Sequence, residues 1–150
     1  MDNEEKRIPV KISYIIPEGQ NYAGYIETLW AYSLGNQLYE LQNMPFFAVH
    51  LNIDDIVFCD ESADSLPIIN RLIKWSGNRT LRVAFTDEAT DEKCVDIIWE
   101  LTKRNILHEI ATYKGYMFTV ESKNDYEWAL NFLKEKEEEG LLWLYEQPTT

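Results

Sequence analysis

Hydrophobic and polar positions change their rhythm near the middle of the chain. From Ile8 to about Trp75 apolar residues alternate over short runs separated by turn formers, the signature of strands. Ile8, Val10, Ile12 and Tyr14 alternate, and Pro17-Glu18-Gly19-Gln20-Asn21 makes a turn. Tyr25–Leu34 resumes, Gly35-Asn36 turns again, and Gln37–Leu41 pairs back across it. Met44-Pro45-Phe46-Phe47 reads as an apolar crossing segment, with further strands at Asp55–Asp60 and Leu66–Trp75. No helical period occurs in this half. Short antiparallel strands around an aromatic cluster close best as a small barrel, because closure leaves no exposed edge.

From Asn78 the rhythm is mixed. Leu81, Val83 and Phe85 alternate as a strand; Thr90-Asp91-Glu92 opens a helix in which Cys94, Ile97, Ile98 and Leu101 share one face and which ends near Asn105. Ile106–Tyr113 and Gly115–Glu121 are strands joined at Lys114-Gly115. Ser122 or Asn124 caps a second helix with Tyr126, Ala129, Leu130 and Leu133 on one face, Gly140 ends it, and Leu141–Tyr145 is the last strand. This β-α-β-β-α-β order predicts a ferredoxin-like sheet with both helices on one face. The expected class is therefore α+β: a small β-rich, barrel-like lobe over residues 1–76 and a ferredoxin-like lobe over residues 77–150.

Composition narrows the function. The 150 residues hold 14 Lys+Arg against 26 Asp+Glu, a formal net charge of −12. It is evenly divided: five basic and eleven acidic residues precede Gly77, nine and fifteen follow from it. Such a surface repels phosphate backbones and anionic membranes, so a basic protein is the expected partner, with no nucleic acid and no membrane. Met1–Arg7 is charged and Ile8–Ile16 is interrupted by Pro9 and Lys11, so a cytoplasmic location is expected. Cys59 and Cys94 are two distant thiols outside any CxxC pattern and read as buried and free.

Chemistry-bearing motifs are sparse. Gly-rich phosphate loops, HExxH, GxSxG and EF-hand loops do not occur, and no cofactor or metal is expected. His50 and His108 make no metal site by themselves, and the carboxylates beside Cys59 hold its thiol protonated. Tyr116, Phe118 and Val120, with Trp143 and Tyr145, occupy strand positions where RNA-binding domains stack bases; the acidic charge favours packing instead. Tyr22, Tyr25, Trp30, Tyr32, Tyr39, Phe46 and Phe47 read as barrel core. The unusual feature is acidic clustering. Glu137, Glu138 and Glu139 stand in the last turn of a helix, where the macrodipole disfavours them; Asp60, Glu61 and Asp64, and Asp87, Glu88, Asp91 and Glu92, form two more groups. Together they are the expected partner-binding residues.

The segments Glu27-Thr28-Leu29-Trp30-Ala31, the Gly35 turn, Tyr39-Glu40-Leu41-Gln42-Asn43-Met44-Pro45-Phe46-Phe47-Ala48, Asp55-Ile56-Val57 and Ser76-Gly77-Asn78-Arg79-Thr80-Leu81-Arg82-Val83 resemble a bacterial family, domain of unknown function 4265. The resemblance implies a bacterial cytoplasmic protein without an assigned active site. His50–Asp54 departs from it, since the family more often has a glycine-containing turn there. The matched residues read as architecture: Asn43 and Pro45 fix a turn, Phe46 and Phe47 fill the barrel, and Gly77 and Arg79 build a joint in which Arg79 can pair with Glu27 or Asp55. Glu27, Trp30, Asn43 and Arg79 are alternatively candidates to line a cleft between the lobes. The expectation is a non-enzymatic immunity protein that neutralises a basic toxin by occlusion. The alternatives are a small-molecule-sensing domain using that cleft, and an enzyme using Glu27, Asp55 or His108.

Overall fold

The fold is described from a computed structural model over residues 7–146, so the charged run 1–6 lies outside the described residues. Internal contacts divide the chain into two compact units, Met1–Ser76 and Gly77–Thr150.

The first unit is a closed barrel of β1 (Val10–Ile15), β2 (Ile26–Gly35), β3 (Leu38–Leu41), β4 (Ile56–Ser62) and β5 (Ser65–Lys74). Neighbours in sequence pair antiparallel, and β1 meets β5 in parallel at Ser13↔Ile68 to shut the ring. Alternation sends Ile12 and Tyr14, Leu29 and Ala31, Tyr39 and Leu41, and Val57 and Cys59 inward, where they pack with Ile69 and with Ala48 and Leu51 of the β3–β4 connection. Complete burial of a side chain such as Ile12, Leu41 or Val57 contributes about 1.5–3 kcal/mol.

The aromatic core expected from the sequence is corrected here. Of the seven aromatics assigned to it only Tyr39 belongs to the buried cluster, joined by Tyr14. Tyr22, Tyr25, Trp30 and Phe47 are exposed. The reason is parity: Trp30 and Tyr32 share the outward phase of β2, where Lys11 and Arg7 lie over their rings. Phe46 and Phe47 sit outside any strand and pack edge-on against each other at 5.0 Å, so they do not fill the barrel.

The second unit runs β6 (Arg79–Phe85), α1 (Asp91–Thr102), β7 (Leu107–Thr112), β8 (Gly115–Val120), α2 (Lys123–Glu138) and β9 (Leu142–Tyr145). The strands form an antiparallel sheet in the order β7-β8-β6-β9. Leu81, Val83 and Phe85 of β6, Phe118 and Val120 of β8 and Leu142 of β9 meet Cys94, Ile97 and Leu101 of α1 and Ala129 and Leu133 of α2 in one core. Thr90 Oγ1 caps α1 by accepting the Lys93 amide, and Ser122 Oγ caps α2 by accepting that of Asp125. The first helix ends at Thr102, earlier than expected, because the chain turns through Lys103 to Asn105 in the left-handed region at φ 62°.

Candidate functional site

Glu27, Asn43 and Asp55 do one kind of work. The connection between β3 and β4 has no strand partner, so its amides need acceptors from elsewhere. Asn43 Oδ1 accepts the Trp30 amide at 2.7 Å, tying the start of the connection to β2. The Glu27 carboxylate accepts the amides of Phe46, Phe47 and Ala48 at 2.6, 3.0 and 3.1 Å. Asp55, fully buried, accepts those of Asn52 and Ser76, each at 2.8 Å. Burial raises the Asp55 carboxyl above its ordinary value, and these hydrogen bonds oppose the shift. Asp54 adopts φ 69°, the left-handed conformation that glycine enters most easily, in the turn whose sequence departs from the family pattern. Arg79, on β6 in the second unit, lies 5.3 Å over the Tyr126 ring.

The ten carboxylates named from sequence fall into two places. Asp60, Glu61 and Asp64 lie at the tip of the β4–β5 hairpin. There Asp60 Oδ2 accepts from Asn70 Nδ2 at 3.0 Å and Glu61 Oε1 accepts from the Tyr39 hydroxyl at 2.9 Å. Burial, reinforced by Glu61, raises the Tyr39 hydroxyl to about 12. Burial likewise raises the Cys59 thiol to about 12, with Asp60 and Glu61 adding to it.

The other seven meet at one end of the second unit. Thr86, just past β6, donates its amide to Leu141 O at 3.0 Å and its hydroxyl to Gly140 O at 2.6 Å. These bonds set the segment carrying Asp87, Glu88, Asp91 and Glu92 beside the one carrying Glu137, Glu138 and Glu139. The β7–β8 turn joins them: Phe85 donates its amide to Lys114 O, and Lys114 Nζ donates to Thr86 O and lies 3.8 Å from Asp87 Oδ1. Two more of the seven have local partners. Glu137 Oε2 accepts the Leu144 amide at 2.7 Å, and Glu139 pairs with Lys136 at 3.2 Å. Asp91 and Glu92 favour the positive end of α1, and Asp87, Glu88 and Glu138 face solvent.

Beside this end lies a groove of about 350 Å³ between α1 and the β7–β8 hairpin, lined by Val95, Ile98, Ile110 and Tyr116 with Asp91 and Lys114. The sequence reading missed it. Its signal was present as apolar residues off the buried face of α1: Val95 and Trp99 lie outside the set of Cys94, Ile97 and Leu101 that the helix buries, and both are exposed. The aromatics weighed as a base-stacking face divide by parity. Phe118 and Val120 are in the core with Tyr116 packed against it, whereas Trp143 and Tyr145 are exposed because Leu142 and Leu144 take the inward phase of β9. His108, on β7, lies 6.0 Å from the Phe118 ring and 6.2 Å from that of Tyr116. Among the described residues no group of three or more His, Cys, Asp or Glu side chains is arranged to hold a metal ion, and no helix is long and apolar enough to cross a membrane.

The search of curated proteins finds no match. Among solved structures, the chain is similar to a protein whose structure is described as "Novel crystal structure of a hypothetical protein from Neisseria gonorrhoeae". The two share 20% identity with a TM-score of 0.76 over 93% of this chain and 94% of that one, a likeness of fold. The family model described as Domain of unknown function (DUF4265) matches residues 27–144, a span that takes in Glu27, Asn43 and Asp55 and all seven clustered carboxylates, and the chain belongs to that family.

Proposed function

We propose that this chain is a non-enzymatic protein-binding module which docks a basic partner on the carboxylate-rich end of its second unit, and that it acts as a bacterial, cytoplasmic immunity protein occluding a toxin domain. The observation that carries this reading is the convergence of Asp87, Glu88, Asp91, Glu92, Glu137, Glu138 and Glu139 through the hydrogen bonds of Thr86 to Gly140 and Leu141. Clustered carboxylates steer a cationic surface into encounter and set its orientation, while the neighbouring apolar groove supplies area to desolvate. Occlusion needs no reacting group. The ferredoxin-like reading of this unit is supported by its strand order and by the meeting of both helices with one set of inward sheet residues.

The test begins with capture of a partner by the full chain at low and at moderate salt, followed by expression of that partner alone and with the chain. The expected result is growth arrest by the partner alone and rescue by the wild-type chain. Rescue is expected to fail when Asp87, Glu88, Asp91 and Glu92 are all changed to Lys. A partner that is harmless alone removes the immunity reading. Equal rescue by the charge-reversed variant removes docking through this end.

A further inference from the structure

We propose that the outer edge of β7, with the flank of α1 above it, is a docking groove for an extended segment of a partner protein that carries both apolar and basic side chains at the alternate positions facing α1 and adds to the sheet as a fifth strand. This rests on the protein-binding reading above and names the element that holds the partner. The helix carries more apolar surface than the sheet beneath it covers. Val95 and Trp99, 64% and 58% exposed, stand four residues apart on one stripe of α1, and Val95 lines the groove together with Ile98 and with Ile110, itself 65% exposed. A further strand beside β7 would extend the sheet by about 4.8 Å, under that stripe.

The two margins of the sheet differ. At β9 the Leu144 amide is taken by Glu137. At β7, paired on one side with β8, the sequence Leu-His-Glu-Ile-Ala-Thr contains neither the lysine nor the proline that commonly blunts an edge. Its bulge falls between Ile110 and Thr112, leaving Leu107–Ile110 in regular register. An extended chain is therefore the occupant whose backbone such an edge can bond, with alternate side chains meeting the helix. Charge selects which chain. Between Asp87 and Glu100 the sequence has six carboxylates and one lysine, and Asp91, Glu92 and Asp96 lie within a turn of Val95 or Trp99. Basic residues at the helix-facing positions of the incoming strand, flanking its apolar ones, meet these carboxylates, whereas a second copy of this chain would bring the same negative flank.

The full chain is panned against a display library of short random linear peptides. Enriched peptides are expected to carry apolar residues together with Lys or Arg at every second position, the set that faces α1, and to slow hydrogen exchange at Leu107–Ile110 when bound. They are expected to lose about tenfold or more in affinity for Trp99→Glu and for Val95→Glu, exposed sites at which thermal melting verifies the fold. No enrichment over the bare support, or equal binding to both variants, overturns the proposal. So does a dimer of the chain that Trp99→Glu dissolves. For a captured protein the two ideas separate: if charge reversal at Asp87–Glu92 abolishes its binding and Trp99→Glu does not, the acidic end stands and the strand groove falls. The opposite pattern removes the docking through charge.

Discussion

Glu137 holds Leu144. The carboxylate of a residue in the last turn of α2 accepts the amide of a residue on β9, Oε2 to N, at 2.7 Å. A negative charge at the negative end of a helix is thereby given a donor, and the outer margin of the sheet loses a free N–H. Glu137→Ala is expected to lower stability by about 1.5–3 kcal/mol, the worth of a hydrogen bond to a charged group, whereas exposed Glu138→Ala changes it by under about 0.5 kcal/mol. Urea unfolding of the two variants checks the contrast, and equal midpoints would contradict it.

The grip of Glu27 on three consecutive amides predicts a larger effect. Glu27→Ala strips acceptors from Phe46, Phe47 and Ala48 at once, and a loss of about 2–4 kcal/mol is expected. Glu27→Gln keeps the shape and one acceptor oxygen and falls between. Hydrogen exchange should quicken at those three amides in Glu27→Ala before it quickens in β1 or β2. Uniform quickening would show that the carboxylate does not act locally.

Alkaline pH is expected to weaken the barrel. The Cys59 thiol and the Tyr39 hydroxyl are both raised to about 12 by burial, from ordinary values of 9.0 and 10.0. A group raised on folding keeps its proton better in the folded chain, so its stabilisation is complete below the unfolded value and drains away as pH rises towards the folded one. Stability should therefore fall between about pH 9 and 12, by up to about 1.4 kcal/mol per pH unit for each group. Cys59→Ala should flatten the start of that slope. A urea midpoint constant across the range in the wild type would refute the assignment.

The two acidic groups should separate in binding. Exchange of Asp60, Glu61 and Asp64 for Lys leaves partner affinity and its salt dependence unchanged, whereas exchange of Asp87, Glu88, Asp91 and Glu92 lowers the association rate and flattens its dependence on ionic strength. Stopped-flow association at several salt concentrations distinguishes them. A loss through the hairpin group would move the docking surface to the first unit.

What could be read from the sequence depended on how local its cause was. The strands of the second unit and the starts of both helices follow from alternation and from Thr90 and Ser122, whose capping acts over three residues. The approach of Asp87–Glu92 to Glu137–Glu139 rests on Thr86 reaching Gly140, a contact between distant parts of the chain that no periodicity encodes. Aromatic residues misled for a related reason. Trp30 and Phe47 have the composition of a core, but phase and the course of an irregular segment decide which way each one faces. The carboxylates of Glu27 and Asp55 looked available for chemistry because the sequence does not reveal that nearby backbone amides claim them.

The parallel contact of Ser13 with Ile68 has a consequence for how the chain is made. Every other seam of the barrel joins strands adjacent in sequence and can form as a hairpin, but this one must wait until the fifth strand has been synthesised, and it pays the entropy of a long loop. Until then β1 has one open margin on a nascent chain. Shutting the ring is thus the slow, rate-limiting event of the first unit, and a substitution at this seam should slow refolding by most of its equilibrium destabilisation while changing the unfolding rate little.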